Sequence, residues 1–193
     1  MRIYGITETL DRKTTNTTDK GRKQIVTRMI NKVTSSNMKG YSSYNEQYAF
    51  LDGHRVFLYN DSLGVKESEK PIDLKILFSN IHLEDEITIP REYVEYFSKK
   101  KKDGWFYKPM VVEEDGFFLA FNPSFLLDAI KFSNSETFYF DKEMNRGKTL
   151  LNFLISPLYQ KDEQGNIVTV TLPVNIENGI DDYERSLDYI ETE

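Results

Sequence analysis

The side chains best suited to chemistry are few, and the most suggestive pair stands in one short segment. His54 and Arg55 follow Asp52-Gly53, so an imidazole base and an anion-holding guanidinium are adjacent. The chain has two histidines and no cysteine, which excludes disulfides, thiolate zinc sites and cysteine nucleophiles. A single histidine without a defined partner is a weak basis for catalysis, and packing against neighbours in a turn is its commoner role.

Other enzyme signatures are missing from the sequence. There is no P-loop, no G-x-G-x-x-G pattern and no H-E-x-x-H zinc motif. The acid pairs Glu113-Glu114 and Asp181-Asp182 stand in turn-like or tail sequence, where solvated charge is their ordinary meaning. We therefore predict a protein that is not an enzyme, with no catalytic residue, no metal and no cofactor. A small hydrolase using His54 is kept as the least supported alternative.

Basic side chains are concentrated in two stretches, although the net charge is −6. The first is a predicted helix over residues 19–33, whose cations lie mostly off its apolar stripe. The second is the run of four lysines at 99–102, at the end of another predicted helix, where cations complement the helix dipole. Two interpretations stay open for both stretches: a solvated helix face, or cations that contact phosphates.

The elements that would hold these residues are short strands and helices. Residues 48–51 and 56–59 read as a hairpin joined through Asp52-Gly53, and residues 72–78 alternate like a half-buried strand. A strand–helix unit occurs twice: a strand over 87–89 with Pro90 opening a helix, and a strand over 117–121 with Asn122 as N-cap and Pro123 at the first helical position. Further strands are predicted at 137–140, 150–156 and 167–174. The pattern predicts an α+β fold.

Length and hydropathy set the remaining bounds. A chain of 193 residues can bury one large core or two small ones. There is no apolar run long enough to span a bilayer and no signal-like start, so we expect a cytoplasmic protein with no membrane partner.

Four fragments resemble, in the same order, segments of the bacterial β sliding clamps, the processivity rings of the replicative DNA polymerase. LDGHRVFLY at 51–59 is similar to the clamp segment ATDGHRLA, and TIPREYVEYF at 88–97 to the IPRK-type strand–helix later in the same clamp domain. FFLAFNPSFLLDAIKF at 117–132 looks like a segment of the last clamp domain. VTVTLPVNI at 168–176 resembles the closing strand, which ends in MPMRL in the family.

The resemblance implies a DNA-clamp-like fold in which short helices pack on antiparallel sheets built from repeated strand–helix–strand units. It also implies a domain organisation: 1–110 resembling the middle clamp domain, 111–176 resembling the end of the last one, and 177–193 as an acidic tail. The chain is about half the length of a clamp and lacks the final arginine, so a ring of the ordinary kind does not follow. A shortened relative from a phage or mobile element fits this description.

In clamps, helices line a central hole and turn basic side chains toward duplex DNA without reading bases. The resemblance therefore implies candidate DNA contacts at Lys20, Lys23, Arg28, Lys32, Lys99, Lys100, Lys101, Lys102 and Lys131. Clamps also carry an apolar pocket for short peptide motifs of polymerases and other replication factors. The matching positions here are Gly53, His54, Arg55, Val56, Pro90, Val94, Val170, Leu172, Pro173 and Val174.

The expected function is a non-catalytic accessory of DNA replication that binds such motifs and encircles duplex DNA as a homo-oligomer. The alternative is a clamp-derived interaction module that keeps the pocket but does not encircle DNA. Each pocket position taken alone also fits an ordinary strand end or core residue.

Overall fold

The computed structural model describes residues 1–6, 9–12, 14, 16–99, 109–145, 153 and 155–174. Within them are ten strands: β1 (Arg2–Ile3), β2 (Ser42–Tyr44), β3 (Gln47–Leu51), β4 (Arg55–Tyr59), β5 (Asp85–Thr88), β6 (Met110–Glu114), β7 (Phe117–Phe121), β8 (Thr137–Phe140), β9 (Leu158–Lys161) and β10 (Ile167–Thr171). The helices are α1 (Asp19–Ile30), α2 (Lys75–Phe78), α3 (Arg91–Lys99) and α4 (Pro123–Ser133), with 3₁₀ turns at Ser36–Met38 and Lys142–Asn145.

The helix starts follow local capping chemistry. At α4 the Asn122 side chain accepts a hydrogen bond from Ser124 N and Pro123 occupies the first turn, which confirms the predicted start. Asn134 ends this helix with a left-handed φ of 58°. The sequence predicts a helix over 19–33 with Asp19 as its cap; α1 instead has Thr18 as N-cap, because the Thr18 side chain accepts from Gly21 N, and it ends at Ile30.

The strands form two antiparallel sheets. A seven-stranded sheet has the order β2-β3-β4-β10-β9-β8-β5, and a three-stranded sheet has the order β1-β6-β7. The middle of the larger sheet is mirrored: β2-β3-β4 on one side and β8-β9-β10 on the other meet where β4 pairs with β10. Each half is one strand, one helix and three strands, β1-α1-β2-β3-β4 and β7-α4-β8-β9-β10. Repeated strand–helix–strand units are thus confirmed, but the predicted pairing is corrected: the counterpart of the α4 unit is the α1 unit and not the unit at 87–97.

The seven-stranded sheet has a different apolar cluster on each face. On β4, Phe57 belongs to the helix-side core, whereas Val56 and Leu58 belong to a second cluster on the other face. This alternation follows from the two-residue period of a strand. On the helix side, α4 packs against both α1 and α3, and its Phe132 ring stacks on Phe57 with centroids 4.7 Å apart. The helix α4 is therefore the centre of the helical layer.

The predicted strand over 72–78 is wrong. Residues 75–78 form one helical turn, and Ile72 and Leu74 pack into the cluster on the outer face of the large sheet. Ile72 N donates to the Ser42 hydroxyl oxygen at 2.9 Å, and Asp73 Oδ1 accepts from Lys75 N at 3.0 Å. Side chains thus satisfy backbone groups that a strand would pair in a ladder. An alternating apolar pattern therefore occurs both in a half-buried strand and in an irregular segment that packs across the face of a sheet.

The predicted boundary between residues 110 and 111 lies at the start of β6. Residues from both sides of it share the large sheet, because β4 pairs with β10 and β5 pairs with β8. Lys100, Lys101, Lys102 and the tail at 177–193 lie outside the described residues. Across the described part of the chain, no helix is both long and apolar enough to cross a membrane.

Candidate functional site

An apolar pocket of about 310 Å³ opens on the outer face of the seven-stranded sheet. It lies between the turn before β4, the end of β10 and the segment over 72–77 that crosses this face. The structure brings six of the ten predicted pocket residues to its wall: Gly53, His54, Arg55, Val56, Val170 and Leu172. The other lining residues are Met38, Leu51, Ile72, Asp73, Leu74, Leu77, Pro157 and Tyr159.

The turn from Asp52 to Arg55 is held by its own side chains. Asp52 Oδ1 accepts from His54 N at 3.0 Å and from Arg55 N at 2.9 Å. Gly53 has a φ of 86°, a conformation that glycine adopts without a steric cost. Leu172 N donates to His54 O at 2.9 Å, which joins the end of β10 to this turn. Two segments more than 100 residues apart thereby form one wall of the pocket.

Arg55 connects the pocket wall to the helical layer. Its Nη1 donates to Asp128 Oδ2 at 2.8 Å, and its Nε and Nη2 donate to Asp52 Oδ2 at 3.0 and 2.7 Å. The guanidinium also lies 4.1 Å from the centroid of the Phe125 ring. Arg55 is only 7% exposed, so the two carboxylates supply the charge compensation that burial demands. We conclude that Arg55 holds the turn in place on α4.

Asp128 extends this network to the first helix. The same carboxylate accepts from Arg28 of α1 through its other oxygen, at 2.5 Å. Arg22 of α1 donates to Phe132 O at 2.8 Å, a second link between α1 and α4. The chain of contacts from Asp52 through Arg55 and Asp128 to Arg28 therefore joins the pocket, α4 and α1.

His54 lies at the pocket wall, where its contacts in the described residues are the backbone bonds of the turn and one aromatic ring. Its side chain is exposed, and its ring stacks on Phe125 with centroids 5.8 Å apart. Within the described ranges, no carboxylate or hydroxyl bonds to the imidazole, so nothing orients it. Across the same ranges, no three His, Cys, Asp or Glu side chains are grouped so that they could hold a metal ion.

The remaining four predicted pocket residues do not line this pocket. Val94 is fully buried in the helix-side core, and its backbone N–H bonds to Pro90 O at the start of α3. Val174 packs on the three-stranded sheet, where its N–H donates to Ala120 O at 2.8 Å. Pro173 lies between Leu172 and Val174, where the chain leaves the pocket. The sequence of a strand end or a helix start does not show whether its side chains face the pocket or the core, so these four positions could not be told apart from the six that line the pocket.

Sequence reasoning missed the pocket's opposite wall. The sequence predicts a strand over 72–78, which contains Ile72, Leu74 and Leu77, and no motif marks Tyr159. Tyr159 is 1% exposed, and its burial, with a smaller contribution from the Asp141 charge, raises its pKa to about 12. The alternation of apolar residues at 72–78 is the sequence feature that indicates this wall. It predicts an apolar face but does not identify the surface that the face packs against.

The predicted DNA-contacting side chains differ in their exposure and in whether an acid already pairs with them. Lys20, Lys23 and Lys32 are exposed on or just after α1, and Lys99 is exposed at the end of α3. None of these four ammonium groups pairs with an acid in the described part of the chain. Lys131 is half-buried on α4, and Arg28 is already paired with Asp128.

The two repeated units, their shared sheet and the helical layer define a fold of the DNA-clamp type. A putative DNA polymerase III beta subunit from Eubacterium rectale has a similar structure, with a TM-score of 0.51 and 13% sequence identity over 89% of this chain and 68% of that one. The DNA polymerase sliding clamp from Bacillus subtilis is similar with a TM-score of 0.53 and 11% identity, over 89% of this chain and 66% of that one.

These comparisons establish a divergent, clamp-like fold, as the sequence resemblance implied. The matched region spans about two thirds of each clamp chain. No protein-family model and no curated protein matches the sequence.

Proposed function

We propose that this protein is a non-catalytic, clamp-like accessory of DNA replication that binds short peptide motifs of replication factors. The observation that carries the proposal is the apolar pocket of about 310 Å³, whose wall includes six residues chosen from the sequence. Pockets that bind ligands begin at about this size and are mainly apolar with a few polar groups. Large apolar side chains of an extended peptide would fill it, and the polar turn at 53–55 would lie beside the peptide backbone.

The test compares one substitution inside the pocket with one outside it. A fluorescently labelled replicative-polymerase tail peptide is titrated with wild-type protein, with Leu172→Asp and with Met144→Asp. Leu172 lines the pocket, whereas Met144 is an exposed apolar residue that does not. We expect binding by wild type and Met144→Asp and at least a tenfold loss for Leu172→Asp. Equal binding by all three proteins would refute this site.

We further propose that the basic face of α1 contacts duplex DNA inside an oligomeric ring. This part is supported by the exposed ammonium groups of Lys20, Lys23 and Lys32, which pair with no acid among the described residues, and by the charge balance of the chain. Residues 177–193 hold seven of the 31 acids and one of the 25 basic residues, which leaves 24 of each sign for residues 1–176. The part of the chain that carries α1 therefore has no net negative charge to repel DNA.

A second candidate is an interaction module with the same pocket that does not encircle DNA. It is favoured by Arg28, whose pairing with Asp128 removes it from a phosphate-binding face. Light scattering after size exclusion and binding to circular duplex DNA separate the two. A closed oligomer with salt-sensitive DNA affinity supports the ring, whereas a monomer without DNA affinity supports the module.

A further inference from the structure

The two charged side chains that line the pocket differ in whether an opposite charge already pairs with them. Among its lining residues, Arg55 and Asp73 carry formal charges. All three guanidinium nitrogens of Arg55 donate to Asp52 or Asp128, and the side chain is almost fully buried. Arg55 therefore offers little attraction to a carboxylate in a ligand, because two carboxylates already surround it.

Asp73 is in the opposite situation. Its side chain is exposed at the pocket wall, between the apolar residues Ile72 and Leu74. One oxygen accepts from Lys75 N at 3.0 Å, and no ion pair joins its carboxylate to any cation in the described part of the chain. Among the described lining residues, Asp73 is thus the charged group that no ion pair compensates, and it lies beside the surface that an apolar ligand side chain would cover.

A ligand that covers this wall changes the surroundings of the Asp73 carboxylate. Covering Ile72 and Leu77 with apolar side chains removes water from one side of the carboxylate, which is costly unless a cation or a donor replaces that water. A basic side chain next to the apolar anchor would replace it, and an acidic one would add repulsion.

We infer that the pocket selects peptides whose apolar anchor residues are flanked by lysine or arginine, with Asp73 as the residue that determines this preference. The inference rests on the proposed peptide-binding function and adds the charge of the partner. It excludes motifs in which acids flank the apolar residues, which an uncompensated Arg55 would have favoured.

The experiment uses the full chain and three nine-residue peptides with blocked ends. Their shared centre contains two leucines and one phenylalanine, and the flanking residues are arginine, glutamine or glutamate. Wild type should bind the arginine peptide about threefold to fivefold tighter than the glutamine peptide in low salt, as expected for a single exposed ion pair. The glutamate peptide should bind more weakly than the glutamine peptide, and 0.5 M salt should reduce both differences.

Three substitutions identify the residue responsible. Asp73→Asn keeps the side-chain oxygen that binds Lys75 N, so it should preserve α2 while abolishing the preference for arginine over glutamine. Asp73→Lys should reverse the order of the peptides. Glu163→Gln removes an exposed acid from the β9–β10 turn, away from the pocket, and should leave the order unchanged.

The outcomes separate this inference from the proposed function. If the three peptides bind wild type equally, or if the glutamate peptide binds best, the charge preference is overturned while peptide binding stands. If Asp73→Asn retains the wild-type preference, Asp73 does not determine it. If neither the three peptides nor the polymerase tail binds, both the proposed peptide-binding function and this inference are refuted.

Discussion

Arg55 Nη1 and Asp128 Oδ2 lie 2.8 Å apart, although the two residues are 73 positions apart in the chain. The contact joins the turn that walls the pocket to the central helix of the helical layer. The Arg55 side chain is 6% exposed and the Asp128 side chain 13%, so water can compensate little of either charge. The pair therefore holds one unit of the repeat against the other.

Removing the shared carboxylate should destabilise the whole domain. Asp128→Asn leaves Arg55 with Asp52 alone, and we expect the free energy of unfolding to fall by about 3 kcal/mol. Arg28→Gln removes the partly exposed partner of the same carboxylate and should cost under about 1 kcal/mol. Urea unfolding followed by circular dichroism measures both. Similar losses for the two variants would contradict the assignment of the stabilising pair.

The N-cap of α4 should be a separate source of stability. Asn122→Ala removes the oxygen that accepts from Ser124 N at 3.0 Å, and we expect a loss of about 1 kcal/mol in the free energy of unfolding. Ser124→Ala, in the same turn, keeps this cap and should change stability by less than half as much. A larger effect for Ser124→Ala than for Asn122→Ala would argue against the capping role.

Alkaline pH should destabilise the protein through Tyr159. Burial raises the pKa of Tyr159 from 10.0 to about 12, so between these values the unfolded chain releases a proton that the folded chain keeps. The stabilising effect of the protonated phenol is complete below pH 10 and is lost as the pH rises toward 12. Its full size is about 2–3 kcal/mol.

The measurement is the free energy of unfolding at pH 9, 10, 11 and 12. Tyr159→Phe should flatten the decline between pH 10 and 12 relative to wild type. Tyr139→Phe is the matched control, because it is the same substitution at the half-buried residue of β8 that pairs with Tyr159. The decline of this variant between pH 10 and 12 should be as steep as that of wild type. If both variants decline as steeply as wild type, Tyr159 is not the group responsible.

The basic face of α1 should determine the salt dependence of any DNA binding. Lys20→Gln with Lys23→Gln removes two exposed ammonium groups, so the slope of log affinity against log salt should fall by about two for duplex DNA. The loss should be the same for unrelated DNA sequences, because phosphate contacts carry no sequence information. Lys39→Gln with Lys70→Gln, at two exposed lysines outside the helical layer, is the control. Equal slopes for both double variants would exclude α1 as the DNA-contacting face.

Peptide binding should depend on the wall that the sequence did not identify. Leu77 is 39% exposed and lines the pocket, so Leu77→Asn should lower affinity for a bound peptide several-fold with little change in stability. Leu74 is 1% exposed in the same segment, and Leu74→Ala should cost about 2–4 kcal/mol of stability. Calorimetric titration and urea unfolding distinguish the two effects. A peptide affinity that Leu77→Asn leaves unchanged would place the ligand elsewhere.

The features that the sequence predicted correctly are those decided by neighbouring residues. The hairpin over 48–59 follows from two short apolar runs around an Asp-Gly turn, and the start of α4 follows from Asn122 and Pro123. In both cases the side-chain hydrogen bonds that fix the turn or the helix start join residues two or three positions apart. The segment over 72–78 shows the limit, because an alternating pattern marks apolar residues without identifying the surface they cover.

By itself, the sequence determined the strand–helix elements, the DGHR turn, the closing strand and their clamp-like order. Only the tertiary structure decided that β4 and β10 are neighbours, that Arg55 binds Asp128, and that Ile72, Leu77 and Tyr159 complete a pocket begun by Gly53 and Leu172. It also separated Val94 and Val174 from that pocket. The physical reason is that local sequence specifies which way a side chain points from its own element, whereas a pocket depends on which distant elements pack beside it.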